Sequence, residues 1–130
     1  MKYPHDFTPP HPRTVSIVLP WPPTSLSGHN TGHYRTKAPV IKQWRLDACK
    51  SLLATGLKID AAYKGDIPVS ATFHAPDNRS DRVNYPNRIK PVWDGIADAL
   101  GVNDRRFLPA FYFGENTPGG KVVIEIGGAQ

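Results

Sequence analysis

Between residues 14 and 53 the spacing of apolar positions changes from two to three or four. Val15, Ile17 and Leu19 fall on one side of an extended backbone, with Ser16 and Val18 on the other. Pro20 removes a backbone donor where the alternation ends, so residues 14–19 predict a strand with one buried face. Residues 21–37 carry little that could pack and many polar groups, Gly28, His29, Asn30, His33, Tyr34, Arg35 and Lys37 among them, and predict a long loop. Ile41, Trp44, Ala48 and Leu52 then recur at helical intervals. They predict an amphipathic helix over 39–53 with Pro39 in its first turn and Gln43, Asp47 and Lys50 facing outward.

Residues 56–66 have no assignable period. Val69, Ala71 and Phe73 against Ser70, Thr72 and His74 predict a second strand over 68–75, which delivers a polar loop over 76–86. Ile89, Trp93, Ile96 and Leu100 mark a second helix over 90–100; its first turn admits Pro91, and Gly101 suits its C-terminus. Residues 108–114 and 121–126 read as two strands joined by a turn at Pro118, Gly119 and Gly120, a closing hairpin. The whole predicts one mixed α/β domain over 14–130, a small mixed sheet of about four strands with two helices. Met1 to Arg13 contains four prolines and no basic segment leading into an apolar one, and predicts a flexible N-terminal arm.

Composition narrows the class of partner. Sixteen Lys and Arg against eleven Asp and Glu leave a net charge of +5, with a pI near 9.5, which favours a polyanion. Cys49, the single cysteine, can form no internal disulfide, and a reducing cytoplasm is the expected location. The apolar run 107–113 is broken by Pro109 and falls far short of the ~20 residues that cross a bilayer, so no membrane span is expected.

Carboxylates near basic residues are the chemistry that fits a polyanion. Hydrolysis of a phosphodiester without a covalent nucleophile commonly uses carboxylates that hold Mg²⁺, because a hard cation takes oxygen ligands and activates water beside the phosphate. Asp81 and Asp104, one on each side of the second helix, are the leading candidates, although a loop aspartate taken singly reads as a turn or cap. Arg79, Arg82 and Arg88 flank the proposed site and Arg105 and Arg106 follow Asp104, as phosphate contacts would. Arg35 and Lys37, with His29, Asn30 and His33, offer a second contact with DNA. Trp44 and Trp93 are spaced as core residues, while Tyr85 and Trp21 admit either packing or stacking on unpaired bases.

The segment from Asp81 through Asn84, Lys90 and Asp94-Gly95-Ile96 to Asp104 resembles the core of the RusA family of Holliday-junction resolvases. That family's pattern is two aspartates one residue apart, an Asn, a Lys, a helix carrying Asp-Gly-Leu or Asp-Ala-Leu, and an acidic turn. The opening Ile17-Val-Leu-Pro-Trp-Pro-Pro23 is similar to its first strand and proline turn. The resemblance implies a RusA-like fold in a homodimeric, Mg²⁺-dependent endonuclease that cuts four-way DNA junctions and is often encoded by phages. Carried over by position, Asp81 and Asp104 would bind metal, Lys90 would assist catalysis or contact the phosphate, and Asn84 would organise the loop. Asp94, four residues after Lys90, would hold that lysine or approach the metal. Val83 stands where the second aspartate is expected. An ungapped match instead makes Asn87 the family Asn and places Asn84 and Pro86 at the aspartate positions. Asp77 or Asp94 could then supply a ligand, and the alternative to an enzyme is a junction-binding module that has lost one.

Overall fold

A computed structural model describes residues 14–26 and 34–127. The arm expected over 1–13 and the loop residues His29, Asn30 and His33 lie outside them. The elements are β1 (Val15–Pro20), α1 (Tyr34–Leu53), β2 (Ile67–His74), α2 (Tyr85–Arg88), α3 (Lys90–Leu100), β3 (Phe107–Phe113) and β4 (Lys121–Ile126). Alternation and helical periodicity thus locate the strands and the two long helices in a mixed α/β fold.

The sheet has the order β1-β4-β2-β3. Strand β4 is antiparallel to both β1 and β2, and β3 runs parallel to β2. The hairpin expected from 108–114 and 121–126 is therefore corrected: β2 lies between the two strands. Strand β3 leaves a crossover through α3, which returns it alongside β2 in the parallel sense. Val122, Ile124 and Ile126 are fully buried, and β4 gains that position by taking partners on both edges. Its connection to β3 passes over the end of β2, where the Gly114 N–H donates to the Phe73 carbonyl at 3.0 Å and the Thr117 N–H to the Ala75 carbonyl at 3.0 Å. Gly114 lies so close to His74 that a Cβ there would sit 2.4 Å from the imidazole Cε1.

One sheet face carries Ile17, Leu19, Val69, Ala71, Phe73, Val122, Ile124 and Ile126 and forms the core against the helices. The other mixes polar residues with exposed apolar ones such as Val18, Leu108 and Tyr112; Ser16 there donates to Glu125 at 3.3 Å. Each fully buried aliphatic side chain, Ile96 or Ile124 for example, contributes about 1.5–3 kcal/mol relative to exposure. Strand β3 is an edge. The Gly114 N–H points to β2, so by alternation Phe107, Pro109, Phe111 and Phe113 turn their backbone groups to the open side. Pro109 consequently sits where its missing N–H removes no ladder bond.

Helix α1 begins at Tyr34, earlier than expected, and contains Pro39. Arg35 and Lys37 are thus helical, not loop residues. Pro39 forfeits one hydrogen bond, to a carbonyl in the first turn, close to an end where backbone groups are already unpaired. Ile41, expected in the buried stripe, is exposed; the buried stripe runs through Ala48 and Leu52, and Trp44 packs against the core.

The two long helices meet at Gly95. A Cβ there would lie 2.1 Å from the Arg45 carbonyl oxygen and 3.0 Å from the Ala48 Cβ. In an exposed helix interior, Gly→Ala stabilises by roughly 0.5–1 kcal/mol, but forcing a methyl between two backbones costs about 1–3 kcal/mol or more. Gly95→Ala is expected to destabilise the protein, read as a lower urea midpoint at unchanged slope. An unchanged or raised midpoint would show that the helices do not touch there.

Candidate functional site

Helix α3 ends on Gly101 in the left-handed conformation, φ 68°. The Gly101 N–H donates to Asp98 at 3.3 Å and the Val102 N–H to Ala97 at 3.1 Å, a closure that reverses the chain. Asn103 then caps a short 3-10 turn, its side-chain oxygen accepting from the Arg105 N–H at 3.0 Å. The reversal returns Asp104 along α3 to Lys90. Lys90 Nζ donates to Asp94 Oδ1 at 2.7 Å and to Asp104 Oδ2 at 3.0 Å. Three residues singled out from the sequence thus meet at one ammonium.

A cleft of about 440 Å³ opens at this cluster, walled by Pro86, Asn87, Trp93, Phe107, Pro109 and Phe111 together with Lys90 and Asp104. On the other side of Asp104 a smaller recess of about 200 Å³ is lined by Asp94, Asp98 and Arg45. Arg45 forks onto Asp98 with bonds of 2.7 and 2.9 Å. Neither Arg45 nor Asp98 was singled out from the sequence. They lie 53 positions apart, and no local spacing announces a pair that exists only because α1 crosses α3.

Hydrogen bonding sets the charge states. Asp94, then Asp104, raise the pKa of Lys90, so it is a cation at neutral pH and an electrostatic group, not a base. The Lys90 hydrogen bond holds the Asp104 carboxyl below the usual carboxylate range, and Arg45 does the same for Asp98.

The other expected site residues are dispersed. Asp81 is exposed ahead of the Arg82–Asn84 turn, makes no side-chain capping bond, and among the described residues shares no hydrogen bond, ion pair or cavity wall with Lys90, Asp94 or Asp104. Val83 beside it is 80% exposed. Arg106 is engaged internally: Nη2 donates to the Tyr63 and Gly65 carbonyls at 2.8 and 3.1 Å, fastening the connection before β2. Arg88 is buried, with its guanidinium 5.4 Å from the centre of the Tyr85 ring. It faces a different cavity, shared with Arg79 and Trp21. Arg35, Arg82 and Arg105 are exposed and Lys37 is half-buried. Tyr85 is a core residue whose hydroxyl donates to the Ser80 carbonyl at 3.2 Å, and Trp21 meets it edge-on at 4.9 Å, so packing is the role of both rings.

Among the described residues, no group of three or more His, Cys, Asp or Glu is arranged to hold a metal ion. A hard cation here would rest on Asp94 and Asp104. Mg²⁺ is commonly held by one or two carboxylates with water and substrate phosphate completing its shell; these two carboxylates are of that kind, and Lys90 bonds one oxygen of each. The same described residues include no helix long and apolar enough to cross a membrane.

The sequence is 34% identical over 116 residues to an uncharacterized protein of Xylella fastidiosa, a match spanning 87% of this chain and 76% of that protein. The chain belongs to that protein's family. No family profile matches it.

The depressed Asp104 value has a defined sign. A group whose folded-state pKa is lowered adds stability above its ordinary value and loses it as pH falls through the lowered one. Asp104→Asn should therefore differ from the parent most above the ordinary aspartate range and converge with it in acid, by an amount that solvent screening keeps small. Urea unfolding from pH 6 to pH 2 checks this. Parallel curves would mean that Lys90 does not hold Asp104.

Proposed function

We propose that the protein is a Mg²⁺-dependent, structure-specific endodeoxyribonuclease that resolves four-way DNA junctions, acting in the cytoplasm as a homodimer. The observation that carries this reading is the meeting of Asp94 and Asp104 on Lys90 at the mouth of an open cleft. It brings the turn acid of the resolvase-like segment, which sequence spacing alone leaves apart, to the lysine and the helix acid. A two-fold protein also suits a junction with two symmetry-related cleavage positions.

Asp94 and Asp104 would hold the ion, which when bound supplies charge that polarises the phosphate and favours attack by water. Lys90, permanently cationic at neutral pH, would direct an N–H donor to a non-bridging phosphate oxygen. Trp93, Phe107 and Phe111 would limit water along one wall of the cleft. Asp81 could join the site only if its turn moved, and Asp94 takes its place as the second acid. Arg82 and Arg105, exposed and without an ion pair among the described residues, would contact the backbone of the DNA arms.

One observation favours a non-catalytic junction-binding module instead. The Lys90 ammonium already bonds both carboxylates where a metal ion would have to sit, and the exposed Val83 offers no acid in the expected position.

Cleavage of a labelled four-way junction in Mg²⁺ and in EDTA, with linear duplex as control, separates the readings. Symmetric Mg²⁺-dependent nicks confined to the junction are expected. Asp104→Asn should reduce them by at least about a hundredfold while junction binding in EDTA stays within about twofold. Tight binding with no cutting in any divalent metal would favour the module, and absence of salt-sensitive binding would end both readings.

A further inference from the structure

Arg88 is a buried cation without a counter-charge among the described residues. It is 6% exposed, its Nε makes no hydrogen bond, and no carboxylate lies within ion-pair distance. A buried, unpartnered guanidinium nitrogen is costly, because burial removes water without supplying an acceptor. The Tyr85 ring face offers the guanidinium some compensation but accepts no N–H bond in the plane of the fork.

The cavity beside Arg88 is about 460 Å³ and is lined by Trp21, Pro22, Pro23, Pro76, Asp77 and Arg79, among others. Asp77 does not neutralise Arg88: its Oδ1 accepts the Arg79 N–H at 2.9 Å and its Oδ2 lies 3.5 Å from Arg79 Nε. Rigid walls surround the buried arginine. Trp21 is braced edge-on against Tyr85 and Phe73, and prolines follow it. Arg79, on the exposed rim, adds a second cation, loosely paired with Asp77. This cavity shares no lining residue with the Lys90 cleft.

We propose that Arg88 and Arg79 form an oxyanion subsite, separate from the Lys90 cluster, that takes one backbone phosphate of the bound DNA. The guanidinium fork of Arg88 supplies planar donors matched to phosphate oxygens, and Arg79 closes over the anion from the rim. The choice of DNA as the source of the phosphate rests on the nuclease reading; the oxyanion chemistry does not.

Two measurements test it on the full chain. The first is thermal unfolding in sodium phosphate against sodium chloride of equal ionic strength. Phosphate should raise the Tm of the parent saturably, give no such shift in Arg88→Met, and require severalfold more anion in Arg79→Gln. In chloride, Arg88→Met should be at least as stable as the parent, because an uncompensated buried charge has been removed. A parent Tm indifferent to phosphate, or an equal phosphate shift in Arg88→Met, overturns the subsite. Arg79 is exposed, so its variant keeps the test decisive even if Arg88→Met does not fold.

The second is binding of a four-way junction in EDTA across a salt series. Arg88→Met should weaken it about tenfold and lower the slope of log K against log salt by about one. An unchanged junction affinity alongside a lost phosphate response overturns DNA as the source. No junction binding by the parent, with the phosphate response intact, sinks the nuclease reading and leaves the oxyanion subsite standing for a free phosphate group.

Discussion

The contact of Gly95 with the Arg45 carbonyl sets the distance between the two long helices, and the polar site depends on that distance. With no side chain between them, α1 lies directly on α3, and Arg45 can fork onto Asp98. One turn earlier on α3, Asp94 faces the same side and holds Lys90. The Asp-Gly pair at 94 and 95 thus has two jobs: the aspartate bonds the lysine, and the glycine admits the neighbouring helix. Gly101 completes the arrangement from the other end by turning Asp104 back along the helix.

Local periodicity made much of the secondary structure legible. The expected helix over 90–100 coincides with α3, and the alternation at Val69, Ala71 and Phe73 marks the buried face of β2. Helix α1 starts earlier than expected because proline suits a helix's first turn by its chemistry, whereas here the open helix end tolerates Pro39 farther in. Strand order was not legible. A short apolar strand carries no label for its partner, and the Pro-Gly-Gly stretch before β4 looks the same whether the chain folds straight back or crosses the end of β2. In the site, Lys90 and Asp94 were readable because four residues make one helical turn. Joining Asp104 to them required the resemblance, and Arg45 with Asp98 required the tertiary crossing. Asp81 was favoured by its position in a motif, but the described contacts do not connect it to the cluster.

A formal charge of +5 overstates how uniformly the surface can meet a polyanion. Arg45 and Lys90 are neutralised by carboxylates, and Arg106 is bonded to backbone carbonyls. Arg88 is buried, whereas Arg35, Arg82 and Arg105 remain at the surface. The basic residues therefore divide into those that hold the fold together and those that face outward, and neighbours in sequence fall on opposite sides of that division. Arg105 and Arg106 are adjacent, yet one is exposed and the other fastens the chain before β2.

Strand β4 also governs when this fold can close. It is the last of the four strands in the chain but occupies an interior place, pairing Ile126 with Val15 on one edge and with Val69 on the other. Until it arrives, β1 has no partner in the sheet, and β2 has only β3. During synthesis the emerging chain can assemble the βαβ portion through α3, but it must hold the first strand in waiting across more than a hundred residues. Such long-range pairing is slow, and it leaves apolar strand edges open meanwhile. Emergence of β4, rather than formation of the helices, sets the earliest moment at which the sheet becomes continuous.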